Sequence, residues 1–301
     1  MTTRSPKLDT SFDSNPSKDF LRREYDKAII SQWRTELGKS LKYLGLPAWK
    51  MLDVIEWQQF MDRFTTIERE ENQQHLMFLK ANVENVEHRL HSLYGEFDDI
   101  LLKGRDSYGH APEWPYELVN LDYFGGFIYA DLSRPKAVRK LIQNQAVYEQ
   151  SFLLIITQQL RDRDITKEKT GFLTDLGKSL KSGILDTTLH PFVDEVISWY
   201  ADTDMPDCAR QTLYMNYFLR DSGEAEHFDV ACRPAIIYPG TGGSWMIHFV
   251  TDFRFQSGVG HRVASNQSLL ELINLGLLEA REQGFVPTRF VQPKLSIRRR
   301  N

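Results

Sequence analysis

Cysteine is scarce in this chain: Cys208 and Cys232 are the only two among 301 residues. Two thiols exclude a disulfide scaffold and a zinc site built from four cysteines. A reducing, cytoplasmic compartment is the simplest expectation. Long apolar runs are missing too. The densest, over 152–156, has five residues, against the roughly 18–20 a membrane span needs. The first segment, MTTRSPKLDTSFDSNPSKDF, has no apolar stretch and is not a secretory signal. Neither G-x-G-x-x-G after the first strand nor G-x-x-x-x-G-K-[ST] anywhere occurs, which argues against a dinucleotide oxidoreductase and a P-loop enzyme. No sign of charge dominates: 37 Lys and Arg stand against 41 Asp and Glu, a net charge of −4. That gives no global pull toward nucleic acid, so any basic face has to be local.

What is present supports an ordinary core. Hydrophobic residues make up 41% and charged residues 26% of the chain, close to an average globular protein. Residues 1–18 are polar, carry two prolines and read as a disordered lead. From 19 to 301 the pattern fits a single domain. Phe20, Tyr25, Ile29, Ile30, Trp33 and Leu37 recur mostly at helical spacing and predict a helix over 18–42. Arg22, Arg23, Lys27, Arg34 and Lys39 fall between them, as a solvated face or a phosphate-contacting one.

Strands and helices then alternate. Strands are expected at 41–46, 63–67, 89–94, 116–121 and 151–157, with helices at 49–61, 72–85 and 135–150. The 151–157 run, SFLLIIT, is apolar on both faces, as the centre of a parallel sheet requires. Residues 159–230 read as a mostly helical insertion. Two β-rich runs, 233–238 and 244–255, flank Gly240-Thr241-Gly242-Gly243 and predict an antiparallel hairpin. A last helix is expected over 266–283, before the basic tail Arg298-Arg299-Arg300. The fold class is α/β: a mostly parallel, Rossmann-like sheet closed by an antiparallel hairpin.

Ligands of open α/β sheets bind at the carboxyl ends of the strands. Those ends carry Gly45-Leu46-Pro47, Glu68-Arg69, Gly95-Glu96-Phe97 and Asn120-Leu121-Asp122-Tyr123-Phe124-Gly125-Gly126. Taken alone, each has a bland account: a strand-end acid is often a cap or loop charge, and Gly-Gly marks turns in any protein. Glu84, Glu87, His88 and His91 lack partner motifs and read as a solvated helix end rather than a metal site.

In the order of its elements and in these strand ends, the chain resembles the class I S-adenosylmethionine-dependent methyltransferases, over roughly 41–157 and 231–256. The resemblance implies S-adenosylmethionine as cofactor. It implies that Glu68, with Arg69 beside it, holds the ribose diol. Glu96 and Phe97 would hold the adenine, and Gly45, Leu46, Pro47 and Asn120 would lie along the methionine end. The 120–126 segment is similar to the D-x-D-P-F-G motif of tRNA guanine-N2 dimethyltransferases, to the D-P-F-G of three-Cys-motif partner proteins, and more loosely to the [DN]-P-P-[YF] of amino methyltransferases. By that likeness Asp122 accepts the hydrogens of an exocyclic amine, while Tyr123 and Phe124 stack on an extruded base. The chain departs from these motifs at Tyr123, where they have proline, and in its single glycine after the first strand. The expected activity is methyl transfer to an amino nitrogen, foremost of a nucleobase in RNA or DNA reached through the 18–42 helix and the basic tail. The alternative is a catalytically inactive subunit of the same fold, using the 159–230 insertion as a protein-partner surface.

Overall fold

The computed structural model describes residues 16–123, 125–127, 133–160, 207–240, 244–257, 275–281 and 284–289. The chain opens with α1 (Pro16–Phe20), a π-helical turn (Leu21–Asp26) and α2 (Lys27–Leu37). Gly38, at φ 65°, ends α2 by turning its N–H back onto Arg34 and Thr35. There follow β1 (Leu41–Gly45), α3 (Leu52–Trp57), β2 (Met61–Glu68), α4 (Glu71–Val83), β3 (Leu90–Tyr94), α5 (Phe97–Lys103), β4 (Leu118–Asp122), α6 (Ser133–Val147) and β5 (Phe152–Leu160). From residue 207 on come α7 (Asp207–Glu224), β6 (Phe228–Cys232), β7 (Ala235–Pro239), β8 (Trp245–Phe255), β9 (Leu275–Arg281) and β10 (Gly284–Arg289).

All ten strands form one sheet in the order β10-β9-β7-β8-β5-β4-β1-β2-β3, with β6 also paired to β8. Strands β1 to β5 are mutually parallel, and β8 enters antiparallel between β5 and β7. This is the expected α/β class, hairpin included.

The period-2 alternation of each strand divides its side chains between two layers. Leu44, Val119, Leu121, Leu154 and Ile156 face one way, with Phe97, Ile100 and Leu101 of α5, Leu141 and Ile142 of α6, and Met215 and Phe218 of α7. Tyr43, Leu118, Leu153 and Ile155 face the other, with Ile30 and Trp33 of α2, Val54 and Trp57 of α3, and Met77 of α4. A helix layer on each face explains why β5 is buried on both sides.

Two expectations need correction. The end of the 159–230 section is not helical: β5 runs to Leu160, and Phe228–Cys232 forms β6 against the second half of β8. Residues 161–206 lie outside the described residues. The helix expected over 266–283 is replaced, in its described part, by β9, which pairs in parallel with β7. The apolar residues of LGLLEAR satisfy both periods, and the open edge of β7 decides between them. Residues 266–274 and 298–300 are outside the described set, as is 1–15 of the lead; the first helix starts at Pro16. Among the described residues no helix is long and apolar enough to cross a membrane.

Trp33 pins α2 to the sheet. It is 1% exposed, its indole N–H donates to the Glu117 carbonyl at 3.1 Å, and the Arg254 guanidinium lies 4.8 Å from its ring. Trp33→Ala is expected to cost about 3–5 kcal/mol of stability, measured by equilibrium urea unfolding.

Candidate functional site

The strand order reverses between β1 and β4, since β1 leads outward to β2 and β3 while β4 leads to β5 on its other side. Such a switch point leaves a crevice at the carboxyl ends of the strands. A cleft lies there. Its walls are the loop after β1 (Leu46 to Asp53), Asn120 and Asp122 of β4, Thr157 of β5, and Tyr238 and His248 of β7 and β8. The first helical segment roofs it through Lys18, Leu21, Arg22 and Asp26. Trp57 holds that roof by donating from its indole N–H to the Arg22 carbonyl at 2.9 Å.

The β1 loop is tightly wound. Ala48 and Met51 take φ of 51° and 49°, a left-handed conformation uncommon outside glycine. Below it, the buried Asp53 carboxylate accepts from the Tyr43 hydroxyl and, at 2.8 Å, from the Asn120 amide. Burial foremost, then the Asp53 charge, drives the Tyr43 phenol well above its ordinary value. Gly45 is explained by this network. A Cβ there would collide with the Tyr43 hydroxyl and meet the Asn120 carbonyl at 2.8 Å. The space over Gly45 is therefore filled by the chain's own tyrosine.

The residues expected to form one site fall into two groups. Leu46, Pro47, Asn120 and Asp122 line the cleft. Glu68, Arg69 and Glu96 gather instead at the ends of β2 and β3, where Arg69 reaches Glu96 at 3.5 Å. Glu68 Oε1 accepts the backbone N–H groups of Arg69 and Glu70 at 2.9 and 3.0 Å, which fixes the carboxylate. Its other oxygen has no protein partner among the described residues. Burial raises the Glu68 carboxyl above its ordinary value, against the pull of those two backbone donors.

Two aromatic expectations are overturned. Phe97 is 5% exposed and Tyr123 4%, packed edge to face on each other at 6.0 Å. Tyr123 is further covered by the Arg134 guanidinium, 4.4 Å from its ring. Both belong to the core, Phe97 on the inner side of α5 and Tyr123 just past the end of β4, so neither offers a face to a base. Phe124 is outside the described residues. The exposed aromatic surface near Glu96 is one the sequence reading passed over: Tyr108, 62% exposed, stacks on Tyr94 at 5.2 Å. Asp106 holds that loop by accepting from the backbone N–H groups of Tyr94, Tyr108 and His110. Burial works to raise the Asp106 carboxyl, but these donors bring it below its ordinary value.

The roof was also missed as part of the site. Lys18 pairs with Asp122 Oδ2 at 2.5 Å. The other basic residues of this helix are largely spent on the protein itself: Arg22 pairs with Asp19, Arg23 and Lys27 with Glu56, and Lys39 with Glu117. Among the described residues no group of three or more His, Cys, Asp or Glu side chains is placed to hold a metal ion.

No protein-family model and no curated protein match the chain. Solved structures resemble the chain at low identity. An O-methyltransferase from Bacillus cereus in complex with SAH is 13% identical, covering 79% of this chain and 82% of that one, with a TM-score of 0.40. A SAM-dependent methyltransferase from Agrobacterium tumefaciens is 8% identical over 78% of this chain and 62% of that one, with a TM-score of 0.43. A precorrin 8w decarboxylase from Methanobacterium thermoautotrophicum is 11% identical over 76% and 89%, with a TM-score of 0.39. Likeness at this level carries no argument about the site, which rests on the connectivity and side chains above.

The raised Glu68 carboxyl has a measurable signature. A carboxyl raised on folding destabilises the native state when ionised, so this contribution to stability falls as pH climbs through the carboxylate range. Glu68→Gln keeps an acceptor for both amides and loses the half-buried charge. Its stability relative to the native chain is expected to rise between about pH 4 and pH 7, followed by urea unfolding across that range. A difference that does not vary with pH would remove the burial effect.

Proposed function

We propose that the chain transfers a methyl group from S-adenosylmethionine to an amino nitrogen. The observation that carries the reading is the state of Asp122: at the switch point, its carboxylate already holds an amine nitrogen, Lys18 Nζ. An acceptor amine donating to the same carboxylate has its lone pair turned away from it, toward an approaching methyl group. Asp122 Oδ1 has no protein partner among the described residues and is the further acceptor such a group needs.

The cofactor's requirements are met in part. Glu68, fixed by two amides with one oxygen free of protein partners, suits a ribose diol. The Tyr94–Tyr108 stack beside Glu96 suits adenine better than the buried Phe97 does. The methionine end fits less well, since Tyr43 fills the space over Gly45 and would have to turn aside. Nucleobases of RNA or DNA are the acceptor class that the Asn120–Gly126 segment resembles. With the roof's basic residues committed to internal pairs, contact with phosphate falls to the Arg298–Arg300 tail. We place the reaction in the cytoplasm and treat 19–301 as one domain.

A second reading, an inactive subunit of this fold acting as a scaffold, draws on the same two obstructions: Tyr43 over Gly45 and Lys18 on Asp122. One titration separates them. S-adenosylhomocysteine is expected to bind the folded protein in isothermal calorimetry, with Glu68→Ala abolishing the heat. No binding at millimolar ligand would leave the scaffold reading standing. Asp122→Ala is expected to abolish tritiated methyl transfer to RNA, DNA or protein while leaving the calorimetric affinity intact.

A further inference from the structure

Three buried polar side chains meet on the far wall of the cleft. Thr157 of β5 and His248 of β8 are directly opposed in the antiparallel ladder. The Thr157 hydroxyl lies 2.9 Å from His248 Nδ1, and His248 Nε2 lies 2.8 Å from Asp26 Oδ1. Thr157, His248 and Asp26 are 5%, 4% and 4% exposed, yet all three line the cleft. Burying three such groups is costly unless their hydrogen bonds are complete, and an apolar trio would fill a wall as well.

The direction of the chain follows from its chemistry. An ionised carboxylate only accepts, so Nε2 carries the imidazole hydrogen and donates it to Asp26. In the neutral imidazole that leaves Nδ1 bare, and the Thr157 hydroxyl donates to it. A π-helical turn, Leu21–Asp26, delivers the carboxylate. Such turns are rare and concentrate at functional sites. The Tyr238 hydroxyl is also buried, beside Thr157. It lines the same cleft. Asp122 is the register partner of Thr157 on the neighbouring strand, one strand spacing of about 4.8 Å away.

We infer that Thr157, His248 and Asp26 form the proton exit of the cleft, with Thr157 as the catalytic group, His248 as the proton store and Asp26 as its positioning residue. The inference rests on the methyl-transfer reading above. As the acceptor nitrogen forms its bond to the methyl carbon, the carbon–sulfur bond breaks with its electron pair staying on sulfur. The alkylated nitrogen, now cationic, gives its proton to Thr157 Oγ1 while the hydroxyl proton moves to His248 Nδ1. The result is an imidazolium facing the Asp26 carboxylate, which returns the proton to water on product release. The amine is thereby left neutral. Asp122 holds the amine before transfer, and the threonine relay removes its proton afterwards.

The test has a spectroscopic and a kinetic arm. In 15N-labelled full-length protein at neutral pH, His248 is expected as the neutral tautomer with hydrogen on Nε2, and Thr157→Val should shift its Nδ1 resonance. Hydrogen on Nδ1 instead would overturn the relay. In transfer assays with tritiated S-adenosylmethionine and pooled RNA, DNA or protein, Thr157→Val is expected to lower kcat by about 100-fold or more. Its affinity for S-adenosylhomocysteine should be unchanged, and Thr157→Ser should recover most of the rate. Unchanged kcat in Thr157→Val, with cofactor bound, would overturn the relay and leave the methyl-transfer reading intact. Failure of the unmodified protein to bind S-adenosylhomocysteine would overturn both.

Discussion

The antiparallel ladder between β5 and β8 is the constraint on which the rest of the cleft depends. It runs for nine residue pairs, from Phe152 opposite Phe253 to Leu160 opposite Trp245. Side chains alternate along both strands, so a slip of one residue would break up the wall. A slip of either strand would turn its own member of the Thr157–His248 pair toward the α5–α6 layer and leave the other facing the cleft. The register is secured by what lies at its closed end, where Phe152 stacks on Phe253 at 4.5 Å with Phe228 edge-on to both. An aromatic cluster at one end of the ladder thus fixes the polar chemistry several residues away.

The fold was largely legible from local pattern. The 151–157 run declared itself as a sheet centre because a strand covered on both faces has no polar residue to spend. The β7–β8 hairpin was equally plain, from two β-rich runs around glycines. The misread segments had a pattern that suited two answers. LGLLEAR became β9 because β7 offered it an edge, a fact no window of seven residues contains. The π-helical turn is likewise invisible, since the period around it is close to that of an ordinary helix.

The candidate site was legible only where chain order and strand ends coincide. Asp122, Asn120, Leu46 and Pro47 were found by asking which residues leave β1 and β4 at their carboxyl ends, and they line the cleft. Glu68 and Glu96 also stand at strand ends, but β1 lies between their strands and the β4 of Asp122, and they group around Arg69. Phe97 and Tyr123 were misjudged because an aromatic residue next to a site motif serves equally well as core. The Asp26–His248 pair joins residues 222 positions apart, and no spacing rule spans such a distance.

That separation bears on how the molecule is made. Asp26 leaves the ribosome early and its partner late. At roughly 5–20 residues per second, the first helical segment waits on the order of ten seconds or more before β8 exists to receive it. Until then Leu21 lacks the cover of Ile236 and Tyr238 of β7, the other buried members of its cluster. The roof of the cleft is the first part of the described chain to be synthesised and among the last able to dock. Completion of the site therefore doubles as a signal that the chain has been laid down through β8.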